Sequence, residues 1–167
     1  LKADVDGDGK LDLLANSGQP TGKFPNSAAW LKVPENPRKA KRWKRFIFAD
    51  KDAPGLSHYL GYGDLNGDGR TDLVVVNSKQ DSISILVGRD QGLTRLGESH
   101  VDRGPHVPRI LDLDGDGHMD CALLTSDATG CRFRRLFGDG TGALTPDPAA
   151  GAQRVGTGTG DWLLCDV

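Results

Sequence analysis

Acidic residues at alternate positions dominate three short, glycine-containing strings in this chain of 167 residues. The strings are Asp-Val-Asp-Gly-Asp-Gly from residue 4, Asp-Leu-Asn-Gly-Asp-Gly from residue 64 and Asp-Leu-Asp-Gly-Asp-Gly from residue 112. The third residue after each string is a further Asp. Oxygen atoms at positions 1, 3 and 5 of a tight loop converge on one point, and Ca²⁺ takes six to eight oxygen ligands. The strings therefore predict three calcium-binding loops.

We name these segments loop 1 (residues 4–12), loop 2 (64–72) and loop 3 (112–120). Positions 1, 3, 5 and 9 are predicted to supply side-chain oxygens, whereas position 7 supplies only its backbone carbonyl. The predicted ligands are Asp4, Asp6, Asp8, Lys10 and Asp12 in loop 1, Asp64, Asn66, Asp68, Arg70 and Asp72 in loop 2, and Asp112, Asp114, Asp116, His118 and Asp120 in loop 3. Because Asn66 is uncharged, loop 2 is expected to bind Ca²⁺ more weakly than the other two.

The residues after each loop argue against an EF-hand. Position 12, where an EF-hand loop requires a bidentate Glu, is Ala15, Val75 or Leu123. These residues belong to short apolar runs, at about 11–16, 71–77 and 119–125, that are too short for helices and typical of strands. A loop followed by a strand also disfavours dockerin-like relatives, and the wide spacing of the loops disfavours thrombospondin-type calcium repeats.

The loops recur at intervals of about fifty residues, which indicates a repeat architecture. In each interval an apolar segment precedes the loop, one strand follows it, and a second strand leads to a glycine-rich turn and a weaker strand. The weaker strands are predicted at about 96–100 and 152–155. Four strands per repeat is the composition of a propeller blade. We therefore predict an all-β chain, with about three β-propeller blades of four antiparallel strands.

The motif Asp-Xaa-Asp/Asn-Gly-Asp-Gly-Xaa-Xaa-Asp-Leu, with its following strand and glycine-rich turn, resembles the FG-GAP/VCBS repeats of integrin-α-like β-propellers. The resemblance covers nearly the whole chain, although the first repeat diverges, with a Trp-containing segment. It implies blades in which the loop joins the innermost strand to the second, and calcium on one face of the disc. It also implies partner contacts on the opposite face.

The predicted repeats span about 1–57, 58–106 and 107–160, and 161–167 begins a further blade. The first repeat is expected to lack its inner strand, because its loop begins at residue 4. Three blades do not close a ring that needs about four or more. The chain is therefore expected to be a piece of a larger propeller, or to close its ring with a second copy.

Other chemistry-bearing residues are predicted to be structural. Cys121 is expected to be a buried apolar side chain, although a disulfide between Cys121 and Cys131 is an alternative. Cys165 has no evident partner. The basic stretch 38–45 is interpreted as a solvated outer strand rather than a nucleic-acid surface. The scattered histidines suggest no catalytic site, and His58, Tyr59 and Tyr62 are expected to line the central channel.

The favoured function is a non-catalytic calcium-binding β-propeller for extracellular adhesion or for recognition of a protein or glycan. Millimolar calcium outside cells would fill weak loops, which favours a secreted or cell-surface setting. One alternative is a lectin whose inter-blade sugar sites use Trp30, Trp43 or Trp162, and another is a catalytic propeller such as a polysaccharide lyase or hydrolase. The sequence shows no membrane segment. Asp81 is expected to be an exposed position whose replacement leaves stability unchanged.

Overall fold

The computed structural model of the chain describes residues 2–17, 27–50, 59–90, 92–128, 130–148 and 153–156. These residues form thirteen strands and no helix, which confirms the all-β prediction over this part of the chain. The strands are β1 (Lys2–Ala3), β2 (Asp12–Ser17), β3 (Ser27–Lys32), β4 (Lys44–Asp50), β5 (Leu60–Gly63), β6 (Asp72–Asn77), β7 (Ser82–Arg89), β8 (Gly92–His100), β9 (His106–Leu111), β10 (Asp120–Asp127), β11 (Gly130–Gly138), β12 (Leu144–Pro146) and β13 (Gln153–Gly156).

The strands pair into three antiparallel sheets. Sheet 1 has the order β1-β2-β3-β4, sheet 2 the order β5-β6-β7-β8, and sheet 3 the order β9-β10-β11-β12. Each sheet therefore joins strands that follow one another along the chain, as a propeller blade does. The prediction of four-stranded antiparallel blades is confirmed, whereas the limits of the three repeats stay a prediction.

The fourth strand of sheet 3 consists of two short pieces. Strand β12 pairs with the end of β11 at Leu136–Gly138, and β13 pairs with its beginning at Cys131–Phe133. The sequence predicts β13 but not β12, because β12 has only three residues and follows directly on the glycine-rich turn. Both pieces together cover the outer edge of β11.

Sheet 1 has a first strand where the sequence predicts none. Strand β1 consists only of Lys2 and Ala3, which pair with Leu13 and Asp12 of β2. Two residues suffice because Ala3 and Val5 are anchored in the apolar cluster that β2 and β3 also line. The expectation that this blade lacks its inner strand is wrong for these two residues.

Sheet 2 is covered by apolar clusters on both faces. Val74 and Val76 pack with Leu123 of sheet 3, whereas Val75 packs with Leu14 of sheet 1. Every residue of β6 is consequently buried. Burial on both faces explains why this strand is a continuous β-branched run rather than an alternating one. The sheets therefore stack face to face, and each loop is carried on a rigid base.

Trp30 belongs to the core between sheets 1 and 2. Its ring stacks on Phe46 with a centroid distance of 4.2 Å and an interplanar angle of 8°. Only 2% of Trp30 is exposed, which leaves no face for a sugar ring. The lectin alternative thus loses one of its three tryptophans, Trp43 is half-buried, and Trp162 lies outside the described residues.

The basic stretch 38–45 is not one outer strand. Only its last two residues lie in a strand, at the start of β4, while residues 38–43 form an irregular connection. In β4 itself Phe46 and Phe48 pack on the core and Ile47 is exposed, as alternation in a strand requires. The exposed side chains of 38–45 agree with a solvated surface. The strand, however, begins only at Lys44 rather than at residue 38.

Cys121 and Cys131 are both free and buried. Strand register separates them, because Cys121 lies opposite Leu136 and Cys131 lies opposite Ser126. Burial raises the pKa of the Cys121 thiol to about 12. The open possibility of a Cys121–Cys131 bridge is therefore excluded by the pairing of β10 with β11, and Cys165 lies outside the described residues.

The described part of the chain contains no helical segment with the length and hydropathy of a membrane span.

Candidate metal centre

The three acidic loops occupy the same place in the three sheets. Loop 1 connects β1 to β2, loop 2 connects β5 to β6, and loop 3 connects β9 to β10. In each case a first and a second strand, hydrogen-bonded to each other, hold the two ends of the loop. This is the connection that the resemblance to FG-GAP repeats implies.

The carboxylate at position 1 organises the backbone of each loop. In loop 1 the two oxygens of Asp4 accept hydrogen bonds from the backbone N–H groups of Asp8 and Gly9, at 3.1 and 2.8 Å. The equivalent distances from Asp64 in loop 2 are 3.0 and 2.8 Å. In loop 3 the bonds to Asp112 come from Gly115 and Gly117, at 2.7 and 3.0 Å. The same carboxylate thus closes all three loops.

The glycines at positions 4 and 6 permit this closure. All six have φ between 70° and 89°, a region that side-chain-bearing residues rarely adopt. Position 5 adds a further contact, because the carboxylates of Asp8, Asp68 and Asp116 accept the backbone N–H of position 7 at 2.9, 2.9 and 2.8 Å. The N–H groups of Lys10, Arg70 and His118 are therefore used within the loop, and the ligand role of their carbonyls stays a prediction.

Carboxylate oxygens converge in loops 1 and 3. One oxygen from each of positions 1, 3 and 5 lies within 4.8 Å of the other two, in Asp4, Asp6 and Asp8 and again in Asp112, Asp114 and Asp116. At positions 1, 3 and 5 loop 2 has only two carboxylates, and the Asn66 amide both accepts from the Asp68 N–H at 3.1 Å and donates to the Asp68 carboxylate at 3.2 Å. Loops 1 and 3 thus gather three negative charges, and loop 2 gathers two.

The donors of loops 1 and 3 fit a calcium ion. They are oxygen atoms from three carboxylates, which are the ligands that a hard divalent cation prefers. In loop 1, Asp6 Oδ1 is buried and has no hydrogen-bond partner. A buried polar atom without a partner is uncommon and is accounted for by a ligand that the loop would bind. These residues could therefore hold Ca²⁺ at the convergence point.

The aspartates at position 9 lie behind the loops rather than among the converging oxygens. Asp12, Asp72 and Asp120 are 0%, 0% and 1% exposed. Both oxygens of Asp72 accept backbone N–H bonds, from Leu65 at the second position of its loop and from Gly88 near the end of β7, each at 2.8 Å. The side chain therefore ties the loop to the third strand of its sheet.

We call this pair of hydrogen bonds, from the position-9 aspartate to the loop and to the third strand, the brace. It recurs in the other two sheets. Asp120 accepts from Leu113 and Gly138 at 2.7 and 2.8 Å, and Asp12 accepts from Val5 and Val33 at 3.4 and 2.9 Å. Burial raises the pKa of Asp12 and that of Asp72. The sequence predicts these residues only as metal ligands. A signal for the brace is available in retrospect, since each is an Asp at the first position of a strand whose next three residues are apolar.

The three loops differ in the cations beside them. In loop 1 the Lys32 ammonium contacts the Asp6 carboxylate and lies 2.7 Å from Asp8 Oδ2. The hydrogen bond from Lys32 lowers the pKa of Asp8, and the bonds to Asp6 and Asp8 raise that of Lys32. Lys32 therefore remains protonated at neutral pH. No motif in the sequence points to Lys32.

Arginine side chains lie near loop 2, and loop 3 has no such neighbour among the described residues. Guanidinium nitrogens of Arg70 and Arg89 lie 3.6 and 3.8 Å from Asp68 Oδ2, and Arg70 also pairs with Asp90. In the part of the chain that the structure describes, no Lys or Arg forms an ion pair with an acidic residue of loop 3. Loop 3 thus combines three carboxylates with the least compensating charge.

Asp81 is not the neutral control position that the sequence suggests. It has a φ of 51°, and its carboxylate accepts a hydrogen bond from the Gly104 N–H at 3.0 Å. Its carbonyl also accepts from the Val101 N–H at 2.9 Å. Asp81 is half-buried, so the prediction that it is exposed is wrong. We now expect its replacement to disturb the turn before β7 and the connection before β9, and to lower stability.

His106 and its neighbours form a small packed group away from the loops. Its Nδ1 lies 2.8 Å from the Gly104 carbonyl oxygen, its Nε2 lies 3.8 Å from Cys131 Sγ, and its ring lies 6.0 Å from that of Tyr59. Tyr62, the other predicted channel residue that the structure describes, is 46% exposed, and His58 lies outside the described residues. His106 is therefore held by packing contacts.

A charged cavity of about 250 Å³ lies between β8 and β11. Its two arginines are both paired, Arg134 with Asp102 and Arg135 with Asp147, the latter at 2.6 Å. Because each cation faces a carboxylate, the cavity offers no excess of charge for an ionic ligand.

Comparison with known protein families gives a match, and the search of curated proteins gives none. Residues 64–123 match the model of the FG-GAP-like repeat. The matched segment begins at the first aspartate of loop 2 and ends in β10, so it contains loops 2 and 3 complete with their position-9 aspartates. The resemblance drawn from the loops is confirmed for residues 64–123, which are similar to an FG-GAP-like repeat.

Proposed function

We propose that this chain is a calcium-binding domain of the propeller type that serves as a recognition scaffold outside the cell. The observation that supports the proposal most directly is the convergence of three carboxylate oxygens within 4.8 Å in loop 1 and again in loop 3. Carboxylates at such distances repel one another unless a cation lies between them. A calcium ion supplies that charge and cross-links the loop.

The location of the loops suggests what calcium would do. Each loop joins two strands of one sheet, and its position-9 aspartate reaches the third strand. An ion bound at positions 1, 3 and 5 would therefore fix one end of the whole blade. Ligands that bind only the folded state add to its stability, by about 1.4 kcal/mol per site when calcium exceeds the dissociation constant tenfold.

The proposed setting follows from the affinity that such loops should have. Extracellular calcium modules have dissociation constants of about 10⁻⁴ to 10⁻³ M, and they fill at the millimolar calcium found outside cells. The proposed partner is an extracellular protein or glycan. Binding rather than turnover is proposed because the paired carboxylates of this chain lie in the loops, where calcium would occupy them.

Calcium titration into the metal-free protein tests the proposal. We expect isothermal titration calorimetry to detect saturable binding, with loop 3 the tightest site because it has three carboxylates and no ion pair to a Lys or Arg among the described residues. Asp116→Ala should remove that site, because it deletes a charge at position 5. Asp8→Ala and Asp68→Ala should each weaken one further site.

Asp127→Asn is the matched control. Asp127 lies at the opposite end of β10 from loop 3 and pairs with Arg132 at 2.6 Å. Its replacement should leave the titration unchanged. If the three loop variants bind calcium as the wild type does, the ions are bound elsewhere and the proposal is wrong.

A further inference from the structure

Lys32 is a cation built into the base of loop 1. It is the last residue of β3, and its ammonium contacts the carboxylates at positions 3 and 5 of the loop, Asp6 and Asp8. The side chains of Lys32, Asp6 and Asp8 are 32%, 12% and 30% exposed, so the contact is partly shielded from water. One positive charge supplied by the chain itself therefore partly compensates two of the three converging carboxylates of loop 1.

The other two sheets have apolar residues at the position of Lys32. The brace identifies equivalent positions, because Val33, Gly88 and Gly138 donate the same backbone bond to the position-9 aspartate. The residues that precede them are Lys32, Val87 and Phe137. The strand pairing gives the same equivalence. The residues that precede Lys32, Val87 and Phe137 are Leu31, Leu86 and Leu136, and each lies opposite the second residue of β2, β6 or β10.

A lysine at this strand position is therefore found only beside loop 1 among the three sheets. Strand pairing fixes its Cα, because Lys32 lies opposite Lys44 of β4 and Val33 is bonded to Asp12. From this fixed base the side chain reaches over the loop. An ammonium that contacts Asp6 and Asp8 and a divalent ion that binds the same oxygens repel each other strongly at such short range.

Loop 1 nevertheless keeps a free ligand atom. Asp6 Oδ1 is buried without a hydrogen-bond partner, while Asp6 Oδ2 is the atom that contacts Lys32. Calcium could therefore enter on the Oδ1 side, but full ligation by Asp6 and Asp8 requires the ammonium to withdraw. The flexible four-carbon stem of lysine allows the ammonium to move into solvent.

We propose that Lys32 is an internal counter-ion of loop 1 that competes with Ca²⁺ and stabilises the loop in its absence. The inference rests on the proposed calcium binding and adds a difference between the loops. Loop 1 exchanges its own cation for a metal ion, whereas loop 3 has no such substitute among the described residues. Sheet 1 therefore depends less on calcium than sheet 3 does.

Lys32→Met tests the inference, because it keeps the length of the stem and removes the charge. In calorimetric titrations we expect it to increase the affinity of the loop 1 site about tenfold, since the ammonium no longer competes. In chelator the same variant should unfold at a lower temperature than the wild type, because the carboxylates of loop 1 lose their counter-ion. Combining it with Asp8→Ala should abolish the gain in affinity, which assigns the gain to loop 1.

Lys44→Met is the matched control. Lys44 lies directly opposite Lys32, but its ammonium is 4.6 Å above the Phe46 ring and makes no ion pair with loop 1. It should leave calcium affinity unchanged. Phe137→Lys is the reciprocal variant, which places a lysine beside loop 3 and should weaken calcium binding there.

The outcomes separate this inference from the proposed function. If Asp116→Ala removes a site while Lys32→Met and Phe137→Lys change no affinity, calcium binding stands and the role of Lys32 is overturned. If the wild type binds no calcium, the proposed function fails, and the inference fails with it. Should Lys32→Met fold poorly, Phe137→Lys alone decides, because a lysine that does not weaken loop 3 contradicts the competition.

Discussion

Replacing Asp72 with Ala is expected to destabilise the chain by about 2–6 kcal/mol, in chelator as well as in calcium, because two buried backbone N–H groups lose their acceptor. The groups belong to Leu65 and Gly88, and both bonds are 2.8 Å long. Asp72 is completely buried and Leu65 is 1% exposed, so neither is in contact with bulk solvent. The effect can be measured by urea denaturation followed by tryptophan fluorescence. The free energy of unfolding of the variant is compared with that of the wild type, with both proteins in chelator.

Asp68→Ala is the control from the same loop. The Asp68 side chain is about a quarter exposed, and the N–H that it accepts, from Arg70, is accessible to water. We therefore expect less than about 1 kcal/mol of destabilisation in chelator. The control should instead weaken calcium binding. Equal losses of stability for Asp68→Ala and Asp72→Ala in chelator would refute the division into a ligand position and a brace position.

The spacing of the acidic residues predicts the loops well because loop closure is local. The Asp4 carboxylate accepts hydrogen bonds from the N–H groups of the residues four and five positions later, and both donors lie within the acidic motif itself. Strands after each loop are equally visible, since β-branched and apolar runs such as 73–76 are typical of a buried sheet. The loop conformation that brings positions 1, 3 and 5 together can therefore be predicted from the sequence alone.

The brace is not visible in the same way, because its second donor comes from a distant strand. Asp72 and Gly88 are 16 residues apart, and Asp120 and Gly138 are 18 apart. The pairing register of the second and third strands of each sheet brings these groups together. No spacing rule in the loop motif encodes that register. The same argument applies to Lys32, which reaches Asp6 across 26 residues.

Contacts with distant segments also explain why the sequence predicts a wrong environment for two residues. Asp81 looks like an exposed turn residue, yet its carboxylate is bonded to Gly104 in another connection of the fold. Trp30 looks like a possible sugar platform, yet Phe46 of the neighbouring strand covers its face. In both cases the partner is supplied by a segment that local pattern does not place.

Replacing Gly138 with Ala is expected to destabilise the chain by about 3 kcal/mol, the upper end of the usual cost of overpacking. Gly138 ends β11, where the backbone passes directly over Met119, the eighth residue of loop 3. A Cβ on Gly138 would overlap the carbonyl oxygen of Met119, which is backbone and cannot turn away. A Cβ on the equivalent Gly88 would lie 2.8 Å from the Thr71 carbonyl oxygen. The fall in the free energy of unfolding, measured by urea denaturation, tests the effect.

The reason for glycine here is close approach of two backbone segments rather than backbone freedom. Gly138 is absent from the residues with positive φ, although the sequence places it in the glycine-rich turn with Gly140 and Gly142. Sheet 1 differs from the other two sheets at this position. There the residue is Val33, and the loop-side bond of the brace, from Val5 to Asp12, is 3.4 Å compared with 2.8 and 2.7 Å in sheets 2 and 3.

Gly97→Ala separates this steric cost from any general effect of replacing a strand glycine. Gly97 lies in β8, and a Cβ there would meet no atom within 4 Å. Its replacement should change stability by less than about 0.5 kcal/mol. If Gly138→Ala were as mild as Gly97→Ala, β11 could move away from loop 3 at little cost. The bond from the Gly138 N–H to Asp120 would then not be the rigid support that the brace requires.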